Sequence, residues 1–96
     1  MSASERGQIV WKIGDLIEKN KEELALLDTI DNGKPIYETT YVDTVLAADI
    51  FRYYGGYATK IHGETIPVAG PFLNYTLREP VGVCGQIIPW NFPLLM

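Results

Sequence analysis

Ninety-six residues, eight Lys+Arg against twelve Asp+Glu, a formal charge of −4 and 47% hydrophobic residues describe one small folded domain at most. That balance excludes a disordered chain, and it excludes a nucleic-acid binder, whose affinity rests on a basic surface that neutralises phosphates. No apolar run reaches the roughly eighteen residues of a membrane span, and Met1 to Arg6 lacks the apolar core of a signal peptide.

The chain opens on a predicted helix. Ser2 and Glu5 form a capping box, and Ile9, Val10, Ile13, Leu16 and Ile17 recur at helical spacing opposite Lys12, Asp15, Glu18 and Lys19. Gly14 costs this helix about 1 kcal/mol against Ala. Asn20 with Glu23 caps a second helix in the same way, carrying Leu24, Leu27 and Ile30. Asn32-Gly33 is its left-handed stop, and Pro35 keeps it from resuming. Thr40 and Asp43 open a third helix whose Val42, Leu46, Ile50, Tyr53 and Tyr57 repeat as one stripe; Gly55-Gly56 weakens its last turn.

After His62-Gly63 the pattern changes to β. Glu64–Val68 and Phe72–Arg78 read as a hairpin turning at Ala69-Gly70-Pro71, and Pro80 ends the pairing. Val81–Ile88 is apolar on both faces, as in a central parallel strand covered by helices. Pro89-Trp90-Asn91-Phe92-Pro93 follows as a loop, and Leu94-Leu95-Met96 begins a further apolar segment. A parallel strand needs a second one, reached through a crossover of a dozen or more residues. None is present, so residues 1–96 are expected to be the front of a larger α/β protein. A domain this short buries only about 60–65% of its unfolded surface, and it must use its apolar residues well or borrow a partner's surface.

Few residues offer chemistry. Cys84, the only thiol, makes no internal disulfide, and it sits in mid-strand with no neighbouring cation or base in sequence. A buried structural role is expected for it, and a solvated loop role for His62. No histidine and thiol spacing suggests zinc. Gly82 and Gly85 lie inside the strand and do not form a dinucleotide-binding turn. Asn91 stands out. It follows the carboxyl end of the strand, where open α/β sheets place ligands, and is stiffened by Pro89 and Pro93. Its side-chain amide could stabilise an oxyanion without ionising, or could merely cap a helix beginning at Phe92; the residues alone leave these two readings even.

The run Pro80-Val81-Gly82-Val83-Cys84-Gly85-Gln86-Ile87-Ile88-Pro89-Trp90-Asn91-Phe92-Pro93 resembles the signature that opens the cofactor domain of aldehyde dehydrogenases, close to their cytosolic and mitochondrial class. Asp31-Asn32-Gly33-Lys34-Pro35, Arg52-Tyr53-Tyr54, the stretch Lys60 to Pro67 and the stretch Tyr75 to Pro80 agree in order and spacing.

The resemblance implies an α/β protein with an incomplete aldehyde dehydrogenase-like fold. Residues 1–63 would be the helical part of the cofactor-binding domain, and 64–79 the hairpin toward an oligomerisation region. Residues 80–96 would be the first strand and loop of a Rossmann-like core. It implies oxidation of an aldehyde to a carboxylic acid with NAD⁺, or alternatively NADP⁺, through a cysteine thiohemiacetal that a glutamate-activated water resolves. Asn91 would be the oxyanion donor. Ile87, Ile88, Pro89, Trp90 and Asn91 would line the cofactor site, Phe92 and Met96 the aldehyde tunnel, and Asp31 would help hold a monovalent cation. The family's cysteine, glutamate and ribose-binding lysine match no residue of 1–96, so this piece alone is expected to be inactive. The implied partners are an aldehyde and further copies of the full-length subunit, as a homodimer or homotetramer, with neither nucleic acid nor membrane. The expected location is the cytoplasm, with the mitochondrial matrix as the alternative. A competing reading is a non-catalytic truncated module that docks on full-length subunits through its hairpin.

Overall fold

The computed structural model describes residues 1–96. Helix α1 (Ala3–Lys19) begins as the capping box requires: the Ser2 N–H donates to the Glu5 carboxylate at 2.6 Å, and the Glu5 N–H donates to Ser2 Oγ at 3.2 Å. Asn20 departs from its expected role. Its Nδ2 donates to the Leu16 carbonyl at 2.7 Å, so it closes α1 and gives no side-chain cap to α2 (Lys21–Asn32). Gly33, at φ 81°, ends α2 in the left-handed region as expected.

Pro35 does not delay the next helix. It is the N-cap at φ −58°, ψ 134°, and α3 (Ile36–Glu38) starts one residue later, because proline's missing N–H costs nothing at a helix start. A π-helical turn, Thr39–Asp43, joins α3 to α4 (Thr44–Tyr57), so Thr40 and Asp43 lie inside a continuous helical run and open nothing. The wider turn carries Thr39 and Asp43 inward. Thr39 Oγ1 donates to the Ile36 carbonyl at 3.1 Å and meets Thr29 Oγ1 at 2.8 Å.

The packing of α1 on α4 buries a narrower face than the apolar spacing predicts: Ile17 is buried and Lys12, Asp15, Glu18 and Lys19 are exposed as expected, but most of the stripe stays outside. The buried residues are small: Gly7 and Gly14 on α1, Ala47, Ala48 and Gly55 on α4, with Ile17 the one large apolar side chain among them. The backbones come so close that a Cβ on Gly7 would lie 2.5 Å from the Gly55 carbonyl oxygen, and one on Gly14 would lie 2.7 Å from that of Ala48. The long apolar side chains cannot enter such a seam. Ile9, Ile13 and Leu16 on α1, and the whole stripe of Val42 in the π turn and Leu46, Ile50, Tyr53 and Tyr57 on α4, are therefore exposed. Arg52 locks the crossing from outside, 2.9 Å from Asp15 and bonded to Glu18.

Strands β1 (Thr65–Ile66) and β2 (Asn74–Tyr75) pair antiparallel, Thr65 with Tyr75 and Ile66 with Asn74. That register centres the hairpin on Gly70, at φ 92°, where the turn was expected. The ladder is short, reaching Glu64 through the Thr76 N–H, which donates to its carbonyl at 2.9 Å. Val81–Ile88 forms no strand at all: Val83 is 105% and Ile87 104% exposed. Cys84 is exposed as well, with its thiol toward the Gly82 carbonyl, so the expected buried role fails with the strand. A strand without a neighbour leaves its amides to water, and nothing within 1–96 offers that edge.

The fold is mostly helical, with one two-stranded sheet. Its radius of gyration is 18.6 Å, against about 13 Å for a compact chain of this length. The chain turns back only at its end, where Leu94 and Leu95 pack on Ile17, Ala47 and Ala48.

Candidate functional site

That return brings Asn91 to the C-terminal end of α2. Gly33 bends the chain there, and Asn32 spans the bend. Its Oδ1 accepts the Lys34 N–H at 2.8 Å, while its Nδ2 donates to the Asn91 carbonyl at 3.1 Å. Lys34 then reaches inward. Its Nζ lies 2.7 Å from Asp43 Oδ2 and 3.3 Å from the centroid of the Phe92 ring, a salt bridge and a cation–π contact made by one ammonium. The Asp43 side chain is 2% exposed and that of Lys34 16%, so both charges are largely out of water and depend on each other.

Asp28 lies buried beside this pair, and neither of its oxygens has a partner of hydrogen-bonding geometry. Burial pushes its carboxyl above the ordinary aspartate value. The Asp43 charge pushes the same way, and Lys34 and the Leu94 backbone amide relieve it in part. Thr29 and Thr39 complete a polar layer between α2 and the π turn.

The sequence-predicted residues divide. Asn91 and Phe92 are brought together on the Asn32–Lys34 turn. No helix follows Phe92: one Met96 N–H to Phe92 carbonyl bond of 3.1 Å closes a single turn, and Asn91 does not cap it. Ile88 and Met96 line an apolar groove of about 490 Å³ with Val10, Ile50 and Phe51. Ile87 and Pro89 lie on the exposed stretch leading to Asn91, and Trp90 is exposed where the turn begins. Asp31 is exposed at the rim of a cavity of about 190 Å³, shared with Asp28 and Leu94. No group of three or more His, Cys, Asp or Glu side chains that could hold a metal ion comes together. His62 is exposed, in the loop where it was expected. A roomier cavity of about 580 Å³ between α1 and α4, lined by Gly7, Trp11 and Gly55, holds none of the predicted residues.

Reading for single reactive residues missed Asn32, Lys34, Asp43 and Asp28. A signal existed: Asp28 follows Ala25, and Asp43 lies four residues from Thr39 and from Ala47, so both carboxylates occupy the buried helical spacing. A charge at such a position calls for a partner, and Lys34 is the cation close to them.

Residues 1–96 match the Aldehyde dehydrogenase family. The chain is 60% identical over its full length to DhaS of Bacillus subtilis (strain 168), and 55% identical to the mitochondrial aldehyde dehydrogenase of Rattus norvegicus. It covers 19% of the first and 18% of the second. The solved NAD⁺ complex of an aldehyde dehydrogenase from Bacillus cereus superposes with a TM-score of 0.91 at 52% identity, over 99% of this chain and 19% of that one. The chain thus spans about a fifth of the length of the proteins it matches.

Proposed function

We propose that this chain, which belongs to the aldehyde dehydrogenase family, supplies the oxyanion-stabilising amide and part of the cofactor wall of a site that oxidises an aldehyde to a carboxylic acid. The observation that carries this is the seating of Asn91, between two prolines and anchored through its own carbonyl to Asn32. An amide NH₂ held in that way can donate to the aldehyde oxygen as a thiolate adds to the carbonyl carbon and negative charge collects there. Cys84 is not that thiolate: it lies in exposed extended chain, apart from the Asn32–Lys34 turn. The nucleophile and the base come from residues outside 1–96. NAD⁺, present in the similar Bacillus cereus structure, would accept the hydride. Ile88 through Asn91 would border it, with Ile87 against it and NADP⁺ as the alternative. Phe92 and Met96 would lie along the path of the aldehyde.

Residues 1–63, 64–79 and 80–96 are read as helical part, oligomerisation hairpin and start of the Rossmann-like core. The exposed stripe of α4 and the unpaired Val81–Ile88 are surfaces for the remainder of such a fold. No helix is long and apolar enough to cross a membrane, and a cytoplasmic or matrix location fits the relatives. The test is a graft in which residues 1–96 replace the matching stretch of the rat mitochondrial enzyme. Asn91→Ala in that graft lowers kcat about 10²–10³-fold in an NADH-formation assay. Unchanged turnover removes the oxyanion role.

The same exposed surfaces favour a second reading, a module that seats on full-length subunits of the family without catalysing anything itself. It expects the chain to co-purify with such a subunit. A monodisperse, stably folded monomer counts against it.

A further inference from the structure

We propose that the Asn32-Gly33-Lys34 turn is the positioning element for Asn91, gripping the loop at the Asn91 carbonyl and at the ring of the next residue. The inference rests on the oxyanion reading given above and names what makes that amide point one way.

Two contacts define the grip. Asn32 Nδ2 holds the Asn91 carbonyl at 3.1 Å, and Lys34 Nζ holds the next side chain, the Phe92 ring, at 3.3 Å from its centroid. Holding a residue's carbonyl and its successor's ring fixes the peptide plane between them and the Asn91 Cα that lies in it, and so restricts the point from which the Asn91 side chain leaves the backbone. Neither contact is free to drift. The Lys34 N–H can only donate and the Asn91 carbonyl can only accept, so the Asn32 amide fits in one orientation; turned over, it would set donor against donor and acceptor against acceptor. Lys34 is held in turn by Asp43, which the π turn carries inward and buries. Gly33, at φ 81°, gives the bend that lets the side chains on either side of it serve both contacts.

The consequence is a tolerance. An oxyanion donor works at roughly 2.7–3.1 Å from the oxygen, and a displacement of about 1 Å can cost about 10²-fold. Asn32 and Lys34 reach the loop through the Asn91 carbonyl and the Phe92 ring, so they are positioning residues that act through Asn91.

A double-mutant cycle in the graft tests this, with turnover, the KM for NAD⁺ and the thermal midpoint read on each variant. Asn32→Asp keeps the oxygen that Lys34 N–H needs and removes the donor to Asn91. It is expected to lower kcat about 10–100-fold, leaving the KM for NAD⁺ and the thermal midpoint near those of the parent. In the Asn91→Ala background the same change is expected to cost nothing more, because the residue it orients is gone. Lys34→Met lowers kcat in the same direction, and Lys34→Arg, which keeps the charge on Asp43 and a flat face for Phe92, restores it. Should Lys34→Met fail to fold, the Asn32→Asp cycle decides. An equal kcat loss in both backgrounds, or full turnover in Asn32→Asp while Asn91→Ala is slow, overturns the positioning role. Full turnover in Asn91→Ala overturns the oxyanion reading on which it stands.

Discussion

Residues 3–57 and residues 60–90 are both rich in large apolar side chains, yet only the first stretch builds a packed structure. In the helical half each backbone satisfies its own amides, so α1 and α4 need only a seam. Gly7, Gly14, Ala48 and Gly55 provide it by letting the main chains approach closely. The second half is strand-forming sequence, whose amides must be satisfied by a neighbour. It has one neighbour, over Glu64–Ile66 and Asn74–Thr76, and beyond that it stays extended with Val83 and Ile87 in water. Local hydrogen bonding, more than hydrophobicity, separates the halves. The helical half in turn keeps its large side chains outside, so each half exposes apolar surface for a different reason. The total accessible surface is 7721 Å², against about 5,500 Å² for a compact monomer of this mass.

The contrast breaks most readily at the buried pair. Lys34→Met strands the Asp43 carboxylate in the helical half and is expected to cost about 3–5 kcal/mol, read as a fall in the urea midpoint by circular dichroism. Gly7→Leu comes next. Its side chain would have to enter where the Gly55 carbonyl already sits, and overpacking of that kind costs about 1–3 kcal/mol. The matched control is Gly85→Leu in the extended half, where a Cβ would meet nothing within 4 Å. It should leave the melt unchanged. Equal effects at Gly7 and Gly85 would refute the close seam.

How much of this was legible depended on whether the signal was local. The capping box at Ser2, the left-handed Gly33 and the hairpin centre at Gly70 are each set by a few adjacent residues, and all stand where the sequence puts them. The polar face of α1 and the burial of Ile17 were legible, but the rest of the stripe was not placed, because hydrophobic spacing marks residues that can be buried, not the partner that buries them. The glycines that did meet a neighbour looked like defects. The π turn, the N-cap at Pro35 and the missing strand at Val81–Ile88 are likewise settled by tertiary partners or their absence. At the candidate site Asn91 was legible from its prolines. The Asn32–Lys34 grip was not, because its members lie 59 positions apart, from Asn32 to Asn91, and only folding joins them.

Acidity sharpens the comparison within the helical half, with two carboxyls of opposite sign. Asp28 has its pKa raised above 3.8 by burial first and by the Asp43 charge second. The folded state therefore holds that proton more tightly than the unfolded one. Its penalty is absent below the unfolded pKa and grows as pH rises through the folded value. Asp28→Asn is expected to stabilise the chain at neutral pH, with a gain that shrinks toward pH 4. Glu5, exposed in the capping box, has its pKa lowered below 4.5, by the Ser2 backbone bond first. Its contribution is present above the ordinary value and is lost as pH falls through the lowered one. Glu5→Gln should therefore show its cost at neutral pH and lose it in acid. Urea midpoints across pH 3–7 check both, and parallel curves for the two variants would contradict the assignment.

The smallest effect belongs to the hairpin. Thr76 Oγ1 accepts the Glu64 N–H at 2.9 Å, beside the Thr76 N–H bond to the Glu64 carbonyl, so this residue closes the open end of the ladder twice. Thr76→Val keeps the shape and removes one acceptor. It should cost about 0.5–1.5 kcal/mol, but only of hairpin stability, because β1 and β2 are exposed and bury nothing against α1–α4. Hydrogen exchange is the measurement: the Glu64 amide should exchange faster while the amides of α1 and α4 keep their rates. Faster exchange in both places at once would mean that the hairpin and the helices unfold as one unit, and the two halves would then not be energetically separate. If the Glu64 amide alone responds, a strand pair can persist beside a folded helical unit without support from it. The apolar faces of both halves are then free to be covered by something other than each other.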